Sequence, residues 1–262
     1  MNPRPIPGAV TYERSEHIAT IRYNRPDSMN AVNAELRTDL NAAWVQFRDD
    51  DEAWVGIVTG TGRAFCAGAD LKEGGAGDAE PHSFWEIPGL TSLENGLEIS
   101  KPIIAAVNGY ALGFGLTLVA ACDFVIASEN AEFGFPEVRL GVPTIQGAVR
   151  MPGFIGWQAA MELLLIGERV NAANAREMGL VRWVVPHDDL MKEANDLAHR
   201  LCRSAPLAVR ATKEVAKRGL RLPFADAVRF GETMRRVAAD TEDAREGLSA
   251  AREKRPPTWR GC

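Results

Sequence analysis

The chain is poor in the residues that staple or metallate small folds. Its four cysteines, Cys66, Cys122, Cys202 and Cys262, are scattered, with no Cys-x-x-Cys pair, so neither a disulfide framework nor a zinc knuckle is suggested. The four histidines, His17, His82, His187 and His199, show no ligand spacing, and no metal is expected. An excess of basic residues is also missing. Thirty Lys and Arg against 35 Asp and Glu leave a net charge of −5, which provides no global field for nucleic-acid phosphates or an anionic membrane. Long apolar runs are absent too, because Ile103 to Ala121 is interrupted by Asn108, Gly109, Gly113 and Gly115. The opening residues lack an apolar signal-peptide run, so no export signal is read, and a reducing cytoplasm suits the unpaired cysteines.

What remains is ordinary globular composition, 46% hydrophobic and 25% charged over 262 residues. A fold of this length buries roughly 70 to 75% of the surface exposed by its unfolded chain, enough for a core without staples.

Periodicity gives the organisation. His17 to Tyr23 alternates apolar and polar positions as a half-buried strand does, ending at Asn24-Arg-Pro26. From Asn33 the apolar positions Leu36, Leu40, Ala43, Trp44 and Phe47 recur at helical spacing up to the acidic Asp49-Asp50-Asp51. Trp54 to Val58, Ala64 to Ala67, Ile103 to Val107 and Phe124 to Ala127 read as short buried strands, and Gly109 to Gly115 leads into an apolar helix reaching Ala121. Residues 73 to 82 read as a Gly-rich surface loop, and Leu90 to Ile99 resumes helical spacing.

Beyond Trp157, helical stretches at 157–166, 172–178, 188–204, 207–218 and 224–238 follow one another, with a short strand near Leu180 to Val185. This order predicts an α/β fold, with an α/β core over residues 1–195 and a helical C-terminal region over 196–262. The run Asp240 to Glu246 and the basic tail Arg252 to Arg260 read as solvated faces.

Three places could carry chemistry. Gly113-Phe-Gly115 joins a buried strand to a helix, but position 118 is Leu where a dinucleotide-binding fingerprint needs its third glycine. Taken alone, the turn is most simply a packing feature, yet it also leaves the first helical N–H groups unpaired. A second glycine loop, Phe65-Cys-Ala-Gly-Ala-Asp70, follows the strand at 54–58. Two such loops at neighbouring strand ends could each aim one N–H at a common point, which is the geometry of an oxyanion hole. Glu137, after Phe135-Pro136 in an apolar surround, is the carboxylate best placed to be desolvated into a neutral-pH acid or base.

Taken in order, Asn24-Arg-Pro-Asp-Ser-Met-Asn-Ala31, Gly62-Arg-Ala-Phe-Cys-Ala-Gly-Ala-Asp-Leu71, Lys101-Pro-Ile-Ile-Ala-Ala-Val-Asn-Gly-Tyr-Ala-Leu-Gly113, Cys122-Asp123, Ala131-Glu-Phe-Gly-Phe-Pro-Glu137, Leu140-Gly-Val-Pro143 and Ala244-Arg-Glu-Gly247 resemble the crotonase superfamily, the enoyl-CoA hydratase and isomerase family. The resemblance spans nearly the whole chain. It implies a spiral of ββα units with a helical C-terminal region that assembles trimers or pairs of trimers. It also implies acyl-CoA thioester substrates, with coenzyme A entering as part of the substrate and no separate cofactor.

On the same resemblance the thioester carbonyl would be polarised by the amides of Ala69 and Phe114, and Glu137 would carry protons. Thr117 stands where two-base hydratases have a second glutamate; a threonine can hold water but cannot take its proton at neutral pH. Isomerisation of a 3-enoyl-CoA to the 2-enoyl form needs only one acid, while hydration would require Glu137 to act twice. Hydroxycinnamoyl-CoA hydratase-lyases share a hydroxyl residue at this position, although only Tyr12, Tyr23 and Tyr110 are present here to engage a phenolic substrate. A crotonase-fold protein binding acyl-CoA without turnover is the non-enzymatic alternative. For coenzyme A, the resemblance implies a cradle of Arg25, Ser28, Met29, Ala67, Asp70 and Leu71, with Lys72 and a neighbouring subunit's Lys254 at the phosphates. Both lysines read equally well as plain surface charge.

Overall fold

The computed structural model describes residues 8–72 and 92–262. The loop expected at 73–82 lies outside the described residues.

The first strands form an antiparallel pair, β1 (Val10–Ser15) with β2 (Ile18–Tyr23). Helix α1 (Ala34–Asp49) follows, its start satisfied by Asn33, whose side chain accepts the Leu36 amide. It then buries Leu36, Leu40, Ala43, Trp44 and Phe47, the stripe read from the sequence. Each large apolar side chain so buried contributes about 1.5–3 kcal/mol.

Thereafter strands come in consecutive pairs that part company. The first members are β3 (Val55–Gly60), β5 (Ile103–Val107) and β7 (Phe124–Ser128), and all three join the large sheet. The second members are β4 (Ala64–Cys66), β6 (Tyr110–Leu112) and β8 (Glu132–Gly134), which leave for a smaller one. The large sheet closes with β10 (Trp183–Val185) in the order β1-β2-β3-β5-β7-β10, parallel except for β1. The small sheet closes with β9 (Val170–Asn171) in the order β4-β6-β8-β9, parallel except for β9. Helix α2 (Phe114–Val119) follows the third pair, and α3 (Gln146–Ile155) follows the fourth. These strand pairs, three of them followed by a helix among the described residues, match the α/β fold predicted from the sequence and the ββα spiral implied by the resemblance.

The continuous apolar runs of β3 and β5 are explained by burial on both faces. Along β5, Ile103, Ala105 and Val107 face the cluster containing α1 and α2, while Ile104 and Ala106 face a second cluster built on α6 (Leu190–Cys202). Residue 195, the boundary read from the sequence, lies within α6, whose Leu190, Ala194, Leu197 and Ala198 pack on the sheet.

Between β9 and β10 lies α5 (Ala172–Glu177), and α4 (Trp157–Met161) runs on as a π-helical turn over Glu162–Ile166. The chain continues through α7 (Pro206–Gly219), α8 (Phe224–Ala239) and α9 (Glu242–Glu253).

Several expectations need correction. Described residues 92–99 form turns rather than a helix. The stretch from Gly109 contains a strand, β6, before its helix. The acidic run at 240–246 is not a uniformly solvated face. It starts α9, and Asp243 is buried, accepting the Arg260 amide at 2.7 Å and the Gly261 amide at 2.9 Å. The basic tail is not wholly free either: Arg255 pairs with Glu246 at 2.6 Å, and the Trp259 indole donates to the Arg203 carbonyl.

Candidate active site

The site is assembled where β4 and β6 end. These strands are parallel neighbours, with Ala64 opposite Tyr110 and Cys66 opposite Ala111, so their following loops emerge side by side. Closeness is enforced at Gly115, where an added Cβ would lie 2.5 Å from the Cys66 carbonyl oxygen; only glycine lets α2 seat so near β4.

In the first loop, Ala69 forms a parallel bridge with Val32. Val32 donates to the Gly68 carbonyl at 2.8 Å and accepts the Asp70 amide at 3.0 Å. A residue bridged in this manner turns its own N–H away from the partner strand. The Ala69 amide therefore points elsewhere and makes no hydrogen bond among the described residues.

In the second loop, Gly113 has φ +52° and ψ −114° immediately before α2. Its amide is spent on the Gly134 carbonyl at 2.9 Å, and Thr117 donates back to the Gly113 carbonyl at 2.9 Å. Phe114 is the first residue of that helix, where no intrahelical acceptor exists, and its amide has no partner among the described residues either. The two amides singled out in the sequence are thus both unspent, on adjacent loops.

Glu137 lies in a single 3₁₀ turn, Pro136–Leu140, after β8. Strand pairing of β8 with β6 carries it to the second loop: an added Cβ on Gly113 would lie 2.9 Å from Glu137 Oε1. Burial raises the proton affinity of this carboxyl, its own backbone amide and the nearby Thr144 hydroxyl lower it, and the balance stands above the ordinary value. Thr144 is close enough to act on the charge without closing a hydrogen bond, since Glu137 Oε2 and Thr144 Oγ1 are both buried without a partner among the described residues. No other acid or base contributes to the Glu137 shift among the described residues.

Thr117 is buried on α2, four residues beyond Gly113 and therefore on the same helical face. Its hydroxyl makes no hydrogen bond among the described residues. Of the other acids, Asp70 is tied to Arg25 at 3.1 Å. Glu94 is buried beside Ser92, and Glu98 pairs with Arg218 at 3.0 Å.

Most of the expected coenzyme A residues also converge. The loop at 25–31 is laced to the loop at 67–70, with the Ala67 amide donating to the Met29 carbonyl at 3.1 Å and Arg25 donating to both the Ala31 carbonyl and Asp70. Burial pushes the Asp70 carboxyl up, but Arg25 and the Lys72 amide outweigh it and hold the group below its ordinary range. Arg25 is thus engaged in tying two loops together. Ser28, Leu71 and Lys72 are exposed along this seam. Lys254 ends α9 in the left-handed conformation, and no hydrogen bond or ion pair joins it to these loops within the chain.

Asn30 and Asn108, which are not among the site residues predicted from the sequence, hold the site's frame. Asn30 donates to the carbonyls of Thr61 and Ala64, at 3.0 and 2.7 Å. Asn108 donates to those of Gly62 and Ala64, at 2.8 and 3.2 Å, and accepts the Gly60 amide. Both lie inside the quoted motifs; a buried asparagine flanked by strand signals was the available clue. Thr144 and Arg37 carried no such clue. Two surface hollows, one of about 280 Å³ lined by Asp243 and Arg255 and one of about 440 Å³ lined by Thr59 and His187, contain neither Glu137 nor the two amides. No group of three potential metal ligands occurs among the described residues.

Comparison with known proteins adds an independent line. A family model described as enoyl-CoA hydratase/isomerase matches residues 13–262. The (E)-benzylidenesuccinyl-CoA hydratase of Thauera aromatica is 38% identical over 261 residues, covering 97% of this chain and 99% of that protein. The carnitinyl-CoA dehydratase of Salmonella typhi is 38% identical over 254 residues, covering 95% and 97%. Among solved structures, enoyl-CoA hydratase from Bacillus anthracis superposes with a TM-score of 0.90 at 35% identity, covering 97% of this chain and all of that one.

Proposed function

This chain belongs to the enoyl-CoA hydratase/isomerase family, and from that membership we propose that it binds the thioester carbonyl of an acyl-CoA between the Ala69 and Phe114 amides and moves protons with Glu137. One observation carries this reading: two unspent backbone donors on adjacent loops, with a desolvated carboxylate held against the glycine that precedes one of them. Donors aimed at the oxygen that becomes negative stabilise the enolate without reorganising, each worth about 3 to 4 kcal/mol.

For addition of water to a 2-enoyl-CoA, water hydrogen-bonded to the Thr117 hydroxyl is deprotonated by Glu137 as its oxygen attacks the β-carbon. The enolate forms between the two amides, and protonated Glu137 then delivers its proton to the α-carbon; dehydration is the reverse. Relatives named as a hydratase and a dehydratase favour this course. The solitary acid favours a second one, in which Glu137 takes a proton from the α-carbon of a 3-enoyl-CoA and returns it at the γ-carbon. Coenzyme A is held at the seam of Arg25, Ser28, Met29, Ala67, Asp70, Leu71 and Lys72, its phosphates met by Lys72 and by Lys254 of a neighbouring protomer in a trimer or pair of trimers. A cytoplasmic setting is consistent with four unpaired cysteines, and no helix among the described residues is long and apolar enough to cross a membrane.

The deciding experiment is mass and absorbance screening of the purified protein against 2-enoyl, 3-enoyl and aromatic CoA thioesters, beside Glu137→Gln. A product heavier by one water identifies hydration, and an unchanged mass with new conjugated absorbance identifies isomerisation. Glu137→Gln is expected to lower kcat by roughly 10² to 10⁴ while retaining thioester binding. Wild-type-like turnover by the variant refutes the assignment.

A further inference from the structure

Arg37 sits on α1 with its guanidinium carbon 5.3 Å from the centroid of the Phe114 ring. It is half-buried, and no carboxylate pairs with it among the described residues. Elsewhere in the chain, Arg25, Arg139, Arg218 and Arg255 are each tied to an acid. A guanidinium over a ring carries five N–H donors, and no acceptor among the described residues takes one from Arg37.

The position is informative because α1 begins at the site itself. Val32, just before the helix, bridges Ala69, while Phe114 supplies both the ring under Arg37 and the second unspent amide. An uncommitted planar cation therefore stands one side chain away from the point where the thioester oxygen would lie. A fork of this shape matches a carboxylate bidentately. Coenzyme A's phosphates are the other possible anions, but the pantetheine arm separates them from the thioester end of the substrate, and Arg37 lies at that end.

We propose that Arg37 selects acyl groups bearing a second, free carboxylate, which it grips while the thioester carbonyl rests between the two amides. This rests on the reading of Ala69 and Phe114 as the carbonyl donors. It makes the pocket one for acyl-CoA esters of dicarboxylic acids, whose extra charge would otherwise repel the developing enolate.

Calorimetric titration tests it without requiring turnover. Glutaryl-CoA, its neutral methyl ester and free coenzyme A are each titrated into the wild-type protein, Arg37→Met and Arg37→Lys, with melting curves to verify folding. The expected result is that the wild type binds glutaryl-CoA roughly 10 to 100-fold more tightly than the methyl ester. Arg37→Met should lose that preference while binding the ester and coenzyme A within about twofold of wild type; Arg37→Lys, charged but without the fork, should fall between. Equal wild-type affinities overturn the proposal. So does a loss in Arg37→Met shared equally by coenzyme A, which would put Arg37 on a phosphate. A protein that discriminates in binding yet turns over no thioester refutes the catalytic reading alone; one that turns over enoyl-CoA without discriminating refutes only the role of Arg37.

Discussion

Glu137 carries an energetic penalty that its chemistry requires. Its carboxylate is partly desolvated and has an oxygen with no partner, so ionisation is harder in the fold than in the unfolded chain. A carboxyl whose proton affinity is raised by folding contributes stability that is complete below the ordinary carboxylate range and is lost as pH rises through the raised value. At neutral pH the wild type bears that charge and Glu137→Gln does not. The variant should therefore melt higher than wild type near pH 7, the gap shrinking to nothing as both are acidified below the ordinary carboxylate value; paired melting curves across pH check this. The same sign governs catalysis. If the carboxylate form is the working base, kcat/KM should rise with pH along a limb whose midpoint lies above the ordinary glutamate value.

At the scale of elements, the C-terminal tail is held by a carboxylate acting as a backbone cap. Asp243 near the start of α9 accepts two tail amides, and its own amide donates to the Cys262 carbonyl at 3.1 Å. Removing a buried acceptor strands its donors at a cost of about 1 to 3 kcal/mol. Asp243→Ala should accordingly lower the melting temperature and speed proteolysis of the tail beyond Arg255, read by mass spectrometry of limited digests, whereas alanine at the exposed Asp240 should do neither. This role was invisible in the sequence because Asp243 stands in an acidic run, and the amides that bury it arrive 17 and 18 residues later. Other elements were hidden for local reasons: α3 contains Pro152 and two glycines, which read as loop. By contrast, α1 and β5 were legible because their burial periods, one stripe and two full faces, are written directly in residue type. In the site, the glycine loops and Glu137 were legible since few residue types suit those positions. The bridging of Val32 to the first loop, and the convergence of Asn30 and Asn108 on Ala64 ahead of it, depend on register and could not be read.

On the scale of the whole molecule, the helical C-terminal region leaves apolar surface facing outward. Leu220 at the end of α7 is 89% exposed and Phe224 at the start of α8 is 85% exposed. Apolar side chains this exposed are what the trimeric assembly implied by the resemblance would cover. Light scattering of the purified protein should give a mass three or six times the 28.5 kDa protomer, and a charged substitution at Phe224 should lower it. A monomer at micromolar concentration would remove the neighbouring Lys254 from any role at the phosphates.

The carbonyl of Ala64 receives an amide hydrogen from Asn30 and another from Asn108, side chains that approach β4 from opposite neighbours. One oxygen thereby serves as the keystone between the loop at 25–31 and the strand leading to α2. Neither flank can drift without breaking a buried bond, so the placing of β4 between them is set by the architecture. A displacement at either asparagine is therefore passed to the other through one shared acceptor.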